Sequence, residues 1–114
     1  MDINIETEEL GACSVINVHG DIDVYSSPKV KETINALIEK EAYKIIINLE
    51  DIRYIDSTGL GVLIGALKRV KEHGGNITVV CSNPQIKKVF TITGLVKIFG
   101  IYSSNEEAAE SLKA

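Results

Sequence analysis

Ile45-Ile46-Ile47 is the segment that most restricts how this chain can fold. Three β-branched residues in a row are stiff at χ1 and favour a pleated strand. Successive strand residues point to opposite faces, so a continuous apolar run leaves neither face for water. Lys44 to Leu49 is therefore predicted to be a central strand covered on both sides, as in a parallel sheet packed between helices.

The flanking segments supply the rest of such a sheet. Ile3, Ile5 and Thr7 alternate with polar residues, and Cys13 to His19 is a second β-rich run with Ile16 and Val18 on one face. Both strands meet around Glu9-Leu10-Gly11, which predicts an antiparallel hairpin, and Gly20-Asp21 is expected to end it. Ser27-Pro28 reads as a helix start, followed by an apolar stripe at Val30, Ile34, Leu37 and Ile38. A second helix follows Asp56-Ser57, with Leu60, Leu63, Ile64, Leu67 and Val70 facing inward and Gly74-Gly75 stopping it. Ile77 to Cys81 is the next strand. Asn83-Pro84 opens a short helix carrying Ile86, Val89 and Phe90, which Gly94 ends. Val96 to Tyr102 contains a further strand, and Ser104 or Asn105 can cap a last helix with Ala108, Ala109 and Leu112 on one side. The order is ββαβαβαβα. It predicts an α/β fold in one domain over residues 1–114, with a mixed, mostly parallel sheet, an N-terminal antiparallel hairpin and about four helices.

Composition excludes several functions. A chain of 114 residues can bury roughly two-thirds of its unfolded surface, so it needs no metal or disulfide staple. The formal net charge of −4 argues against a nucleic-acid partner, which calls for clustered positive charge. The start, Met1-Asp2-Ile3-Asn4, lacks the basic and apolar stretches of a signal peptide, and the longest uncharged apolar run, Ser57 to Leu67, is shorter than the ~20 residues of a membrane span. A cytoplasmic protein with no membrane partner is expected. Cys13 and Cys81 form no CxxC pair and sit in strand-like runs, so both are read as buried reduced thiols.

Tyr54-Ile55-Asp56-Ser57-Thr58-Gly59-Leu60-Gly61 joins a buried strand to an amphipathic helix, and open α/β sheets place their sites at such carboxyl ends. Gly59 and Gly61 each lower helix propensity by about 1 kcal/mol relative to Ala. One account is structural: Asp56 or Ser57 caps the helix, and the small residues let it pack tightly on the sheet. The other is functional. Ser57 is an exposed hydroxyl at a helix N-terminus, where free N–H groups and the positive end of the helix dipole tolerate a phosphate, and the glycines let another surface approach.

Catalytic patterns fail here. A nucleophile elbow needs Gly where Ile55 stands, and no Gly-Lys-Ser/Thr of a P-loop follows the glycines. His19 is placed at a strand end and His73 at a helix end, with no metal-ligand spacing. No catalytic residue and no metal site are expected. A second loop, Gly20-Asp21-Ile22-Asp23-Val24-Tyr25-Ser26-Ser27-Pro28, also leads from a strand end into a helix. If the two loops are neighbours, Asp21, Asp23 and Asp56 surround Ser57 with negative charge, which suits a cationic partner surface.

Together these segments, with Phe90-Thr91-Ile92-Thr93-Gly94-Leu95, resemble the STAS family, specifically the bacterial anti-sigma factor antagonists, over essentially the whole chain. The wording around Ser57 is most similar to the general-stress type, with the sporulation type as the near alternative. The resemblance implies a partner switch. The unphosphorylated protein binds an anti-sigma factor that is also a serine kinase, and the sigma factor is released. The kinase uses ATP and magnesium to phosphorylate Ser57, the complex dissociates, and a metal-dependent serine phosphatase restores the active form. By the same resemblance Asp23 and Asp56 shape the kinase contact, Thr58 is a second candidate acceptor, and Gly59 and Gly61 permit close docking. The chain itself is then no enzyme and needs no cofactor; its net charge of −4 and small domain suit a monomer when free.

Two other functions fit the pattern less well. A receiver-type protein accepts phosphate on aspartate, here Asp51 or Asp56, but Ser103-Ser104-Asn105 follows the last strand where a receiver has Lys. A scaffold of a stressosome-like assembly uses the same fold and would form large particles.

Overall fold

The computed structural model describes residues 3–113. The chain runs β1 (Ile3–Leu10), β2 (Cys13–Ile22), α1 (Ser27–Glu39), β3 (Lys44–Ile55), α2 (Ser57–Glu72), β4 (Asn76–Val80), α3 (Pro84–Ile92), a 3-10 turn (Leu95–Lys97), β5 (Gly100–Tyr102) and α4 (Asn105–Ser111). The sheet order is β1-β2-β3-β4-β5, with β1 antiparallel to β2 and all other neighbours parallel. This is the expected order, hairpin included.

The isoleucine triplet divides between two cores. Ile45 and Ile47 face the large core under α1, α2 and α3, built with Val30, Ile34, Leu63, Val70 and Phe90. Ile46 points the other way and meets Val15, Cys13, Val80, Ala108 and Leu112 beneath α4. All three isoleucines have no solvent exposure. Edge-to-face packing of Phe90 on Phe99, with ring centroids 6.1 Å apart, closes the large core behind β5. The two cysteines lie in different cores, free and buried. Burial pushes both thiols above their ordinary range, which disfavours the thiolate form.

Two strands are longer than expected, and this matters for the site. β2 does not stop at His19 but continues to Ile22, with register shifts between Asn17 and His19 and between Gly20 and Asp21. Gly20 sits at φ +110°, a conformation that glycine adopts at no steric cost, so the irregularity bends the strand instead of ending it. β3 likewise runs past Leu49 to Ile55, burying Ile52 and Ile55 while Asp51, Arg53 and Tyr54 stay exposed. At the other edge the last strand is only three residues long. Gly94, at φ +77°, turns the chain into a 3-10 turn that drives Leu95 into the core.

Among the described residues no helix is long and apolar enough to cross a membrane. Truncating either side of the triplet should be costly. Ile47→Ala and Ile46→Ala are each expected to lose about 2–5 kcal/mol in urea unfolding, the usual range for buried isoleucine. A near-neutral Ile46→Ala would mean that α4 does not close its face of the sheet.

Candidate functional site

Parallel pairing of β2 with β3 brings two strand ends together. Ile22 lies opposite Ile55, and the next amide, Asp56 N–H, donates to the Ile22 carbonyl at 3.1 Å. The loop after β2 and the turn into α2 are therefore neighbours at the carboxyl edge of the sheet, as the sequence suggests.

Asp56 is the helix cap. Its backbone is extended, and its carboxylate accepts from Gly59 N–H at 3.0 Å. Ser57 is thus relieved of capping. It is the first residue of α2, it is exposed, and its hydroxyl has no hydrogen-bond partner among the described residues. Thr58 beside it is also exposed. The next backbone donor, Gly59 N–H, is taken by Asp56, which leaves the N–H groups of Ser57 and Thr58 as the free donors of the first turn.

The two glycines face opposite ways. A Cβ on Gly59 would stand 2.6 Å from Ile22 Cγ2 and 2.9 Å from Ile55 Cγ1, so this glycine seats the helix on the ends of β2 and β3. The expectation that Gly59 opens the outer surface is corrected: it is buried, and its missing side chain serves internal packing. Gly61 is exposed, a Cβ there would meet nothing within 4 Å, and the helix surface is left bare to an incoming molecule.

The acidic residues do not form the open ring that the sequence suggests. Asp21 lies in β2, not in a loop, and is 8% exposed. Its carboxylate meets the Arg53 guanidinium through Nε and Nη2, each at 3.4 Å, which neutralises a charge that burial would otherwise penalise. Asp23 folds its carboxylate onto its own loop, accepting from Tyr25 N–H at 2.9 Å and Ser26 N–H at 3.0 Å. The Ser26 amide is the first of the contacts that hold the Asp23 carboxyl below the usual carboxylate range. Ser26, not Ser27, precedes α1, and its hydroxyl caps no helix amide: it donates to the Asp21 carbonyl at 2.7 Å and accepts from Asp23 N–H at 2.9 Å. Asp21, Asp23 and Asp56 therefore shape the two loops from within.

What the loops present outward is apolar and aromatic. Tyr25 is 87% exposed, Val24 55% and Tyr54 53%. Sequence reasoning misses these three exposed side chains, although one signal is there: Val24-Tyr25 interrupts a polar loop. Along α2 a groove of about 530 Å³ starts at Thr58 and runs over Gly61, Val62 and Gly65 between Lys31 and Arg69. Arg69 is held toward α1 by Asn35. Of the two cations, Lys31 is the one beside Thr58 at the head of the groove, as Arg69 lies twelve residues beyond Ser57.

Other polar groups lie elsewhere. His19 is inside β2 and not at its end. It bridges Asp51 at 3.1 Å and Glu6 at 3.6 Å. Asp51 is thus engaged in mid-strand, away from the carboxyl edge where a receiver-type acceptor would stand. His73 caps α2 and stacks flat on Tyr43, ring centroids 4.3 Å apart. Among the described residues no group of three or more His, Cys, Asp or Glu could hold a metal ion.

The profile of the STAS domain matches residues 4–108. The chain belongs to the STAS domain family. It is 38% identical to the anti-sigma-B factor antagonist of Bacillus subtilis (strain 168) over 106 residues, covering 93% of this chain and 96% of that protein. It is 31% identical to the anti-sigma-B factor antagonist of Staphylococcus aureus (strain NCTC 8325 / PS 47), with 93% and 98% covered. Its fold matches the crystal structure of an anti-sigma factor antagonist from Mycobacterium paratuberculosis with a TM-score of 0.91 at 24% identity, covering 99% of this chain and 96% of that one. It also matches the Bacillus cell fate determinant SpoIIAA in its phosphorylated form, with a TM-score of 0.74 at 24% identity and 96% and 100% covered.

Two properties of this STAS domain can be checked directly. Gly59→Ala forces a Cβ against two isoleucines and should cost about 1–3 kcal/mol, whereas Gly61→Ala should be neutral or stabilising by up to about 1 kcal/mol from helix propensity. Urea midpoints of the two variants compare them, and equal effects would refute the opposite orientations. The Asp23 carboxyl should titrate by carbon NMR below the ~3.9 of a free aspartate. Its folded value is depressed, so its contribution to stability is fully present above the unfolded pKa and is lost as pH falls through the folded pKa. A midpoint at or above ~3.9 would contradict the loop contacts.

Proposed function

We propose that this protein is an anti-sigma factor antagonist whose binding is gated at Ser57. The unphosphorylated form binds an anti-sigma factor serine kinase and frees the sigma factor. The kinase, with its own ATP and magnesium, phosphorylates Ser57, and binding ends. A serine phosphatase reverses the step.

The observation that carries this reading is the division of labour between Asp56 and Ser57. Asp56 caps the helix, so the Ser57 hydroxyl stands exposed with no structural task. Modification there has a small structural cost. A phosphate on Ser57 sits at a helix N-terminus beside two free N–H groups, an arrangement that favours anions. The effect is felt in the docked complex instead. Phosphate adds about −1.5 to −2 charges at neutral pH, and a contact built for a neutral hydroxyl leaves them desolvated and unpaired. A penalty of several kcal/mol follows, with each ~1.4 kcal/mol worth tenfold in affinity.

Around Ser57, exposed Val24, Tyr25 and Tyr54 supply apolar contact area, and bare Gly61 supplies room for close approach. Aromatic side chains commonly dominate interface energetics. Asp23 and Asp56 contribute by holding the two loops in place, and Thr58 is a second candidate acceptor on the same turn.

Ser57→Asp should weaken binding to the anti-sigma factor kinase by about 100-fold or more while its unfolding midpoint stays near that of the parent. Ser57→Ala should bind like the parent and stay bound when ATP is added. Calorimetric titration with and without ATP reads both. Parent-like affinity of Ser57→Asp would defeat the gating.

A further inference from the structure

A second surface lies at the far end of α2. Among the described residues six large apolar side chains are exposed, and they fall in two groups: Val24, Tyr25 and Tyr54 at the Ser57 edge, and Ile92 at the end of α3 with Val96 and Ile98 on the segment that follows. Ile98 of the second group lines a groove of about 680 Å³ between α2 and the 3-10 turn. Ile64, Leu67 and Ile98 give it apolar walls, and Lys68, Lys71 and Lys97 line it with amines. None of these three lysines has an ion-pair partner among the described residues. Among the described residues Glu72 is the one acid lining it.

The charge there runs against that of the whole chain. Net charge is −4, yet residues 57–105 hold six of the twelve Lys and Arg and only one of the sixteen Asp and Glu. An apolar cleft with unpaired amines on a protein of the opposite net sign selects an acidic, amphipathic occupant. The shape selects further. The apolar groups line a concavity between two elements, which a helix can enter and a flat lipid surface cannot follow. On the groove's α2 wall, Ile64, Leu67, Lys68 and Lys71 recur at the spacing of one helix face.

We propose that this groove is a second docking surface, which takes an acidic amphipathic helical segment of a protein partner. It does not depend on the Ser57 reading. Lys68 lies eleven residues beyond Ser57, roughly 16 Å along the helix axis at ~1.5 Å per residue. That exceeds the Debye length of about 8 Å at physiological salt, so a phosphate on Ser57 leaves this surface unchanged. A partner held here stays attached in both phosphorylation states.

The test uses the full chain, labelled with nitrogen-15, and a synthetic 18-residue peptide with Leu at i, i+3, i+4 and i+7 and Glu at the flanking positions. Saturable amide shifts are expected at Ile64, Leu67, Lys68, Lys71, Lys97 and Ile98. Lys68→Glu with Lys71→Glu should weaken binding about tenfold or more, and Ser57→Asp should leave it within about twofold. If the double charge reversal disturbs the fold, Lys68→Gln with Lys71→Gln replaces it, and a smaller loss in the same direction is expected. The proposal is overturned by any of four results. The peptide gives no saturable shift, or shifts away from the groove. A peptide with Lys in place of Glu binds equally well. Phosphatidylserine vesicles, and not the peptide, bind with the same lysine dependence, which makes the surface membrane-facing. The groove amides shift with protein concentration alone, which makes a second copy of the chain the occupant.

Discussion

The carboxyl ends of β2 and β3 stay paired to their last residues, and the site depends on that pairing. Ile22 opposite Ile55, followed by the Asp56 amide on the Ile22 carbonyl, sets two loops side by side. It also fixes where α2 begins. Gly59 must then fit against Ile22 and Ile55, which only a residue without a Cβ can do. Once α2 is seated in this way, Asp56 reaches the Gly59 amide, and Ser57 is turned outward. A single backbone register thus connects the sheet to an exposed hydroxyl.

The acids around the site act through that geometry. Each of the three carboxylates has a partner within the chain: Asp21 pairs with Arg53, Asp23 binds the amides of its own turn, and Asp56 binds the helix. Each charge is engaged by backbone or by a cation within the chain, and the outward surface is left to Tyr25, Val24, Tyr54 and Gly61. Rigid loops with an apolar exterior suit a binding surface, because little conformational freedom is lost on docking.

The fold is legible in the sequence because its main determinants are local. The Ile45–Ile47 run, the proline and glycine punctuation, and the caps at Asn83 and Ser104 all act over a few residues. Strand ends are less legible. Gly20 and Asp21 are turn residues by type, and only the partner strand shows that one lies at a strand irregularity and the other finds Arg53, 32 residues away. The site shows the same division. Ser57 and its neighbours are visible as a motif, whereas the inward role of Gly59 depends on Ile22, 37 residues earlier. Exposure of Tyr54 is hidden for a related reason: the apolar run that marks β3 ends at Leu49, so periodicity assigns Tyr54 no face.

The central claim is that the hydroxyl left free by the Asp56 cap is where phosphate is accepted. The most direct measurement is to incubate the protein with ATP, magnesium and the anti-sigma factor kinase proposed as its partner, then locate phosphate by tandem mass spectrometry, with Ser57→Ala in parallel. One phosphate on Ser57, absent from the variant, is the expected result. Phosphate on another residue, or none from a kinase that binds the protein and is active on a different substrate, would contradict it.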